Sequence, residues 1–120
     1  MEDCVFCGIA AGTMPARIVW EDEDFVAFDD IHPQAPVHAL VIPRRHYRSL
    51  ADDVSESLLG RMCLAVTKTA EVKGVAGSGY RVIVNTGRDA GQSVDHLHVH
   101  ILGGARMSHG MVNLVEKPEE

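Results

Sequence analysis

Residues 96–100 read His-Leu-His-Val-His and lead into Ile101-Leu102-Gly103-Gly104. An extended chain alternates its side chains between two faces. His96, His98 and His100 therefore share one face, with successive imidazoles about 6.5–7 Å apart, two strand rises. Leu97, Val99 and Ile101 take the other face, where they can enter a core. One or two histidines on a half-buried strand are usually structural, satisfied by carbonyls. Three in alternation give one strand face wholly to rings that titrate near neutral pH, and that points to chemistry. The run is internal and interrupted, unlike an expression tag. A neutral imidazole can attack phosphorus and then leave, which is covalent catalysis in two steps. The rival reading is a metal site, since His-x-His is also a zinc-ligand spacing. Metal hydrolases of the His-x-His-x-Asp-His kind need an acid after the second histidine, where this chain has Val99.

Such a strand needs a sheet around it, and the chain supplies one. Residues 5–11 are a short apolar helix candidate that ends near Gly12. Residues 17–21 and 25–29 read as a hairpin around Asp22-Glu23-Asp24. Pro33 and Pro36 mark an irregular connection, and His38–Pro43 is a buried strand. A long helix follows over Ser55–Lys73. Asp53 with Glu56 resembles a capping box. Leu58, Leu59, Met62, Cys63, Val66 and Ala70 repeat at three and four, and this spacing places Cys63 in the core. Gly74 supplies the C-terminal stop. Tyr80–Asn85 is a further strand, and Gly87–Asp95 is a glycine-bearing loop before the histidines. The order implies one α+β domain over residues 1–120, with a five-stranded, mainly antiparallel sheet, one long helix and one short one.

The whole chain sets bounds. It has 120 residues, enough for a real core, and a net charge of −6. No basic stripe favours a polymeric nucleic acid, although a local pocket can still hold one small nucleotide. No apolar run approaches the roughly 20 residues of a membrane span. Met1-Glu2-Asp3-Cys4 has neither basic region nor apolar stretch and does not read as a signal peptide. A cytoplasmic location is the expectation, and there three cysteines are thiols or metal ligands. Cys4 and Cys7 form a Cys-x-x-Cys without the preceding strand of a thioredoxin-like site. They are either metal ligands or free buried thiols.

Gly91-Gln92-Ser93-Val94-Asp95-His96-Leu97-His98-Val99-His100 resembles the active-site signature of the histidine triad (HIT) superfamily, His-φ-His-φ-His-φ-φ with φ apolar. Asp30-Ile31-His32-Pro33-Gln34-Ala35-Pro36-Val37-His38, Leu40-Val41-Ile42-Pro43 and Leu102-Gly103-Gly104 resemble its Hint branch. The resemblance runs over nearly the whole chain. It implies a homodimer whose two sheets join, and hydrolysis of purine nucleoside phosphoramidates or related nucleotidyl bonds through a nucleotidyl-histidine. In that reading His98 is the nucleophile, and His100 holds phosphate oxygens or sets its neighbour's tautomer. His38 orders the network, and Ser93 with Gly91 and Gln92 cradles the phosphate. Asp30 accepts both ribose hydroxyls. Phe28, Ile31, Val5, Phe6 and Ile9 wall the purine, and Asn85 lies on the phosphate side. Read alone, Asp30 is a solvated strand end, the apolar residues are core, and Asn85 and Gly91-Gln92-Ser93 are turn chemistry.

Metal-bearing relatives add two histidines to the cysteine pair, which here makes Cys4, Cys7, His46 and His96 a structural zinc set, with no catalytic cofactor. The implied dimer surfaces are Tyr80–Asn85 and the long helix, through Val82 and Met62. Three departures bear on the leaving group. His32 stands where a small polar residue is common, Asp95 where an aromatic is common, and residues 105–120 lack the tryptophan that ends several Hint proteins. A regulatory nucleotide-binding protein with negligible turnover is the main alternative. The dinucleoside polyphosphate hydrolases of the superfamily are another.

Overall fold

The computed structural model describes residues 4–115; residues 1–3 and 116–120, which include the end of the tail discussed above, lie outside the described residues. The elements are α1 (Val5–Ala11), β1 (Ile18–Glu21), β2 (Phe25–Asp29), β3 (Val37–Pro43), α2 (Glu56–Val72), β4 (Tyr80–Ile83) and β5 (Val99–Gly103). The strands form one sheet in the order β1-β2-β3-β5-β4, antiparallel at every pairing. No helix among the described residues is long and apolar enough to cross a membrane.

Alternation decides what each face carries. Phe25, Ala27, Val41, Leu97, Val99 and Ile101 pack against Leu58, Met62, Ala65 and Val66 of α2. Val26, Phe28, Leu40 and Ile42 turn to the opposite face, where Phe6 of α1 covers them. His38 shares the parity of Leu40 and Ile42, and His100 lies directly across from Leu40 in the ladder. The histidines thus emerge on the α1 face. Glycine is required at residue 103, because a Cβ there would come within 2.9 Å of Val75.

Several expectations need correction. The helix cap is Ser55, not Asp53. Ser55 is extended and its hydroxyl accepts the Leu58 N–H at 3.1 Å. Asp53 has φ +51°, a left-handed conformation that an N-cap does not take. Helical bounds are Glu56–Val72, one residue shorter at each end than expected. β4 stops at Ile83, two residues before Asn85. β5 begins only at Val99, so His96 and His98 precede the ladder. The Leu97 N–H donates instead to the Tyr47 carbonyl at 2.7 Å, and Leu97 still enters the α2-side core while His96 and His98 meet Phe6 on the other face. Cys63 is exposed rather than core. It follows Met62 by one residue, about 100° around the helix. Met62 is only 4% exposed and belongs to the domain's own core, so it is no interface residue.

Candidate active site

The site grows from β3, β5 and the chain segment between them. The His98 Nδ1–H donates to the His96 carbonyl at 2.7 Å. That bond places the proton on Nδ1 and leaves Nε2 with its lone pair. His98 is buried, yet it lines a cavity of about 380 Å³. The cavity falls in the ~300–1,000 Å³ range of small-molecule sites. Its apolar wall includes Val5, Phe6, Ile9, Phe28 and Leu40, and its polar residues are Asp29, Asp30, His32, Ser93, His98 and His100.

A second chain of bonds fixes the neighbouring rings. The Gln34 backbone N–H donates to His38 Nδ1 at 3.0 Å, so the His38 proton sits on Nε2. That proton faces His100 Nδ1 at 2.9 Å, with Asp30 Oδ2 at 3.4 Å. His100 in turn carries its own proton on Nε2. Burial, followed by the neighbouring His98 and His38 rings, holds its pKa down to about 4. His100 is therefore neutral at physiological pH, and its ring is 5.0 Å from that of His98 between centroids. The pair offers one bare nitrogen and one N–H donor to the same ligand.

Asp30, His38 and His100 are close enough to suggest a metal site. The Gln34 N–H argues otherwise. It occupies the Nδ1 lone pair, so a metal on Nε2 would need a ring stripped of both protons. The three residues form a hydrogen-bond relay.

The other cluster has opposite chemistry. Ligand atoms of Cys4, Cys7, His46 and His96 all lie within 4.8 Å of one another. Cys7 Sγ is 3.1 Å from His46 Nδ1 and 3.5 Å from His96 Nδ1, and Cys4 Sγ is 3.4 Å from His96 Nδ1. Sulfur and nitrogen on a tetrahedral zinc stand about 3.5 Å apart, from their bond lengths of about 2.3 and 2.0 Å. The His96 Nε2–H donates to the Pro43 carbonyl at 2.8 Å, which turns the bare Nδ1 toward the thiols. Burial keeps this ring neutral by lowering its pKa. Burial and the adjacent Cys4 push the Cys7 thiol up. The Cys7 N–H donates to Cys4 Sγ at 3.3 Å, so Cys4 also caps α1. The four residues fit a structural metal.

Of the residues singled out in the sequence, Val5, Phe6, Ile9, Phe28, Asp30, Ile31, Ser93, His98 and His100 line the cavity. Asn85, Gly91 and Gln92 are not among its lining residues, and His38 stands behind His100. The Gln92 amide donates to the Arg48 and Val94 carbonyls, and its oxygen accepts the Gly87 N–H. Gln92 shapes the loop and leaves the cavity to Ser93. Sequence reasoning missed Met14, Pro15, Ala16, Asp29, Leu40 and Val94 as lining residues, and it noted His32 only as a departure from the family pattern. Two of these had a signal, Leu40 through its shared parity with His38 on β3 and His32 through its place two residues after Asp30.

The HIT domain family pattern matches residues 11–107. Protein HitA of Neisseria gonorrhoeae is 47% identical over 105 residues, 86% of this chain and 97% of its own length. The structure of a HIT family hydrolase from Legionella pneumophila Philadelphia 1 has a TM-score of 0.85 at 40% identity, covering 89% of this chain and 97% of its own. A histidine triad nucleotide-binding protein from Candida albicans has a TM-score of 0.77 at 30% identity, covering 92% and 87%. With the match of pattern, chain and fold in one register, this protein belongs to the HIT domain family.

Proposed function

We propose that the protein is a Hint-type hydrolase of purine nucleoside 5′-phosphoramidates and related nucleotidyl conjugates. The observation that carries this reading is the tautomer of His98. Its Nδ1–H is held by the His96 carbonyl, and its Nε2 lone pair is free for a ligand of the cavity. Names among the relatives add weight, one a hydrolase and one a nucleotide-binding protein.

His98 Nε2 attacks phosphorus and forms a P–N bond to the ring. The P–N bond to the leaving amine breaks, and the amine departs with a proton taken from solvent, to which the water of the second step returns one. Water then attacks the same phosphorus, the histidine–phosphorus bond breaks, and the nucleoside monophosphate leaves. The His100 Nε2–H and the Ser93 hydroxyl donate to the non-bridging oxygens, whose charge grows as phosphorus expands. Asp30 accepts the ribose hydroxyls, and Val5, Phe6, Ile9, Phe28 and Ile31 sandwich the base. Ile31 is 84% exposed, as a wall residue awaiting a planar ligand would be. Cys4, Cys7, His46 and His96 would hold a structural zinc, which supplies tethering of α1 and takes no part in the phosphorus chemistry. A cytoplasmic, reducing setting suits that thiol pair. The acting unit in this reading is a homodimer.

Wild type and His98→Ala are compared on adenosine and guanosine 5′-phosphoramidates, with mass spectrometry of the acid-free quenched enzyme. The expected result is turnover and a nucleotidyl adduct in wild type only, with a rate loss of at least about 10³-fold in the variant. Tight AMP binding without turnover would replace the enzyme by a nucleotide-binding regulator.

A further inference from the structure

Helix α1 has seven residues, well below the roughly 12–15 that persist alone in water. Its position depends on what it touches, and its sides touch different things. Cys4 at its cap and Cys7 in its first turn meet His46 and His96. Val5, Phe6 and Ile9 line the cavity. The Phe6 ring bridges the two sites, its centroid 6.1 Å from His96 and 5.2 Å from His98. His96 bridges them a second time. Its ring belongs to the thiol cluster, while its carbonyl receives the His98 Nδ1–H. Two short routes thus join the cluster to the cavity, one through α1 to the apolar wall and one through His96 to the His98 tautomer. Beyond the cluster, α1 is held by the burial of Phe6, by Ile9 and Ala10 packed against the same apolar residues, and by the bond from Arg44 Nη1 to the Ala10 carbonyl at 2.8 Å.

We propose that Cys4, Cys7 and His46 are positioning residues for the nucleotide site, so that metal ligation at this cluster and nucleotide binding in the cavity strengthen each other. The inference rests on the reading of the cavity as a nucleotide site. Its physical basis is preorganisation. A ligated α1 already presents Val5, Phe6 and Ile9, and the incoming base no longer bears the cost of ordering them. Linkage then requires the reverse effect of equal size.

The test uses the wild-type chain loaded with zinc or stripped by a chelator, with AMP as the probe. Calorimetry should give at least about fivefold weaker AMP binding to the stripped form, the lower end of ordinary coupling. Competition with a chromophoric chelator should show zinc held more tightly, by the same factor, when AMP is saturating. Ring nitrogen spectra should show His98 as a single Nδ1–H tautomer with zinc and a tautomer mixture without it. If stripping unfolds the sheet by circular dichroism, the comparison passes to His46→Ala and His46→Cys in excess zinc. The alanine variant should bind AMP weakly, and the cysteine variant, which restores a fourth ligand, should recover it. Zinc that raises Tm while leaving AMP affinity unchanged overturns the coupling and leaves the nucleotide reading standing. AMP binding to neither form removes the nucleotide reading, and the coupling falls with it.

Discussion

Protonation of His100 separates the residue's chemical role from its structural cost. In the unfolded chain its imidazole takes up a proton near pH 6.5, and in the folded chain only near pH 4. Between these values the unfolded state binds the proton that the folded state refuses, so stability falls as pH falls. The contribution is complete above about pH 6.5 and gone below about pH 4. Urea midpoints of wild type should therefore drop from pH 7 to pH 5 more than those of His100→Asn, at matched zinc. Parallel slopes would mean that the ring is not held neutral. Much of this residue scale could not be read from the sequence. Period-two alternation is local, so the shared face of His96, His98 and His100 was legible. The His98 tautomer is fixed locally by the His96 carbonyl, and the other rings are fixed by the Gln34 amide, the Pro43 carbonyl and His38. The latter two lie tens of residues away in the chain, and only folding brings them to the rings.

Elements show where local signals compete. Asp53 and Ser55 both precede the long helix, and both residue types cap well. The chain before α2 turns through Asp53 at φ +51°, which leaves Ser55 as the extended residue at the helix start. Ser55→Ala should cost about 1 kcal/mol in urea unfolding. Asp53→Gly should cost nothing or stabilise slightly, because glycine favours that backbone conformation. Equal losses from the two substitutions would return the cap to Asp53. The strands were read almost to their ends because their apolar residues alternate or run continuously. The ends failed where pairing stops for tertiary reasons, at Ile83 and Val99. The thiol pair on α1 was visible, but its histidine partners came from family resemblance. Neither spacing nor composition links Cys4 to a ring 92 residues on.

At the scale of the molecule, β4 is an edge of the sheet, and Val82, opposite Ile101 on the α2 side, is 45% exposed there. On α2, Leu64 is 69% exposed and Val72 is 50% exposed, on the side turned away from the domain's core. An open edge strand and an exposed apolar helix flank each invite pairing with a second copy across a two-fold axis. The tail adds Met111, Val112, Leu114 and Val115, all exposed, tied back by the Arg81 Nη2 bond to the Ser108 carbonyl at 2.9 Å. The apolar repeat of α2 was legible, but it spans two faces. The sequence could not say that Met62 serves the core while Leu64 stays outside. A charge at Met62 would report on folding rather than assembly, and the interface is better tested at Val82 and Leu64. Val82→Asp and Leu64→Asp should sediment as folded monomers at micromolar concentration, with Tm little changed when measured in the monomer. The wild type should sediment as a dimer. A monomeric wild type across that range would leave Val82, Leu64 and Val72 as scattered surface residues, which single domains commonly tolerate.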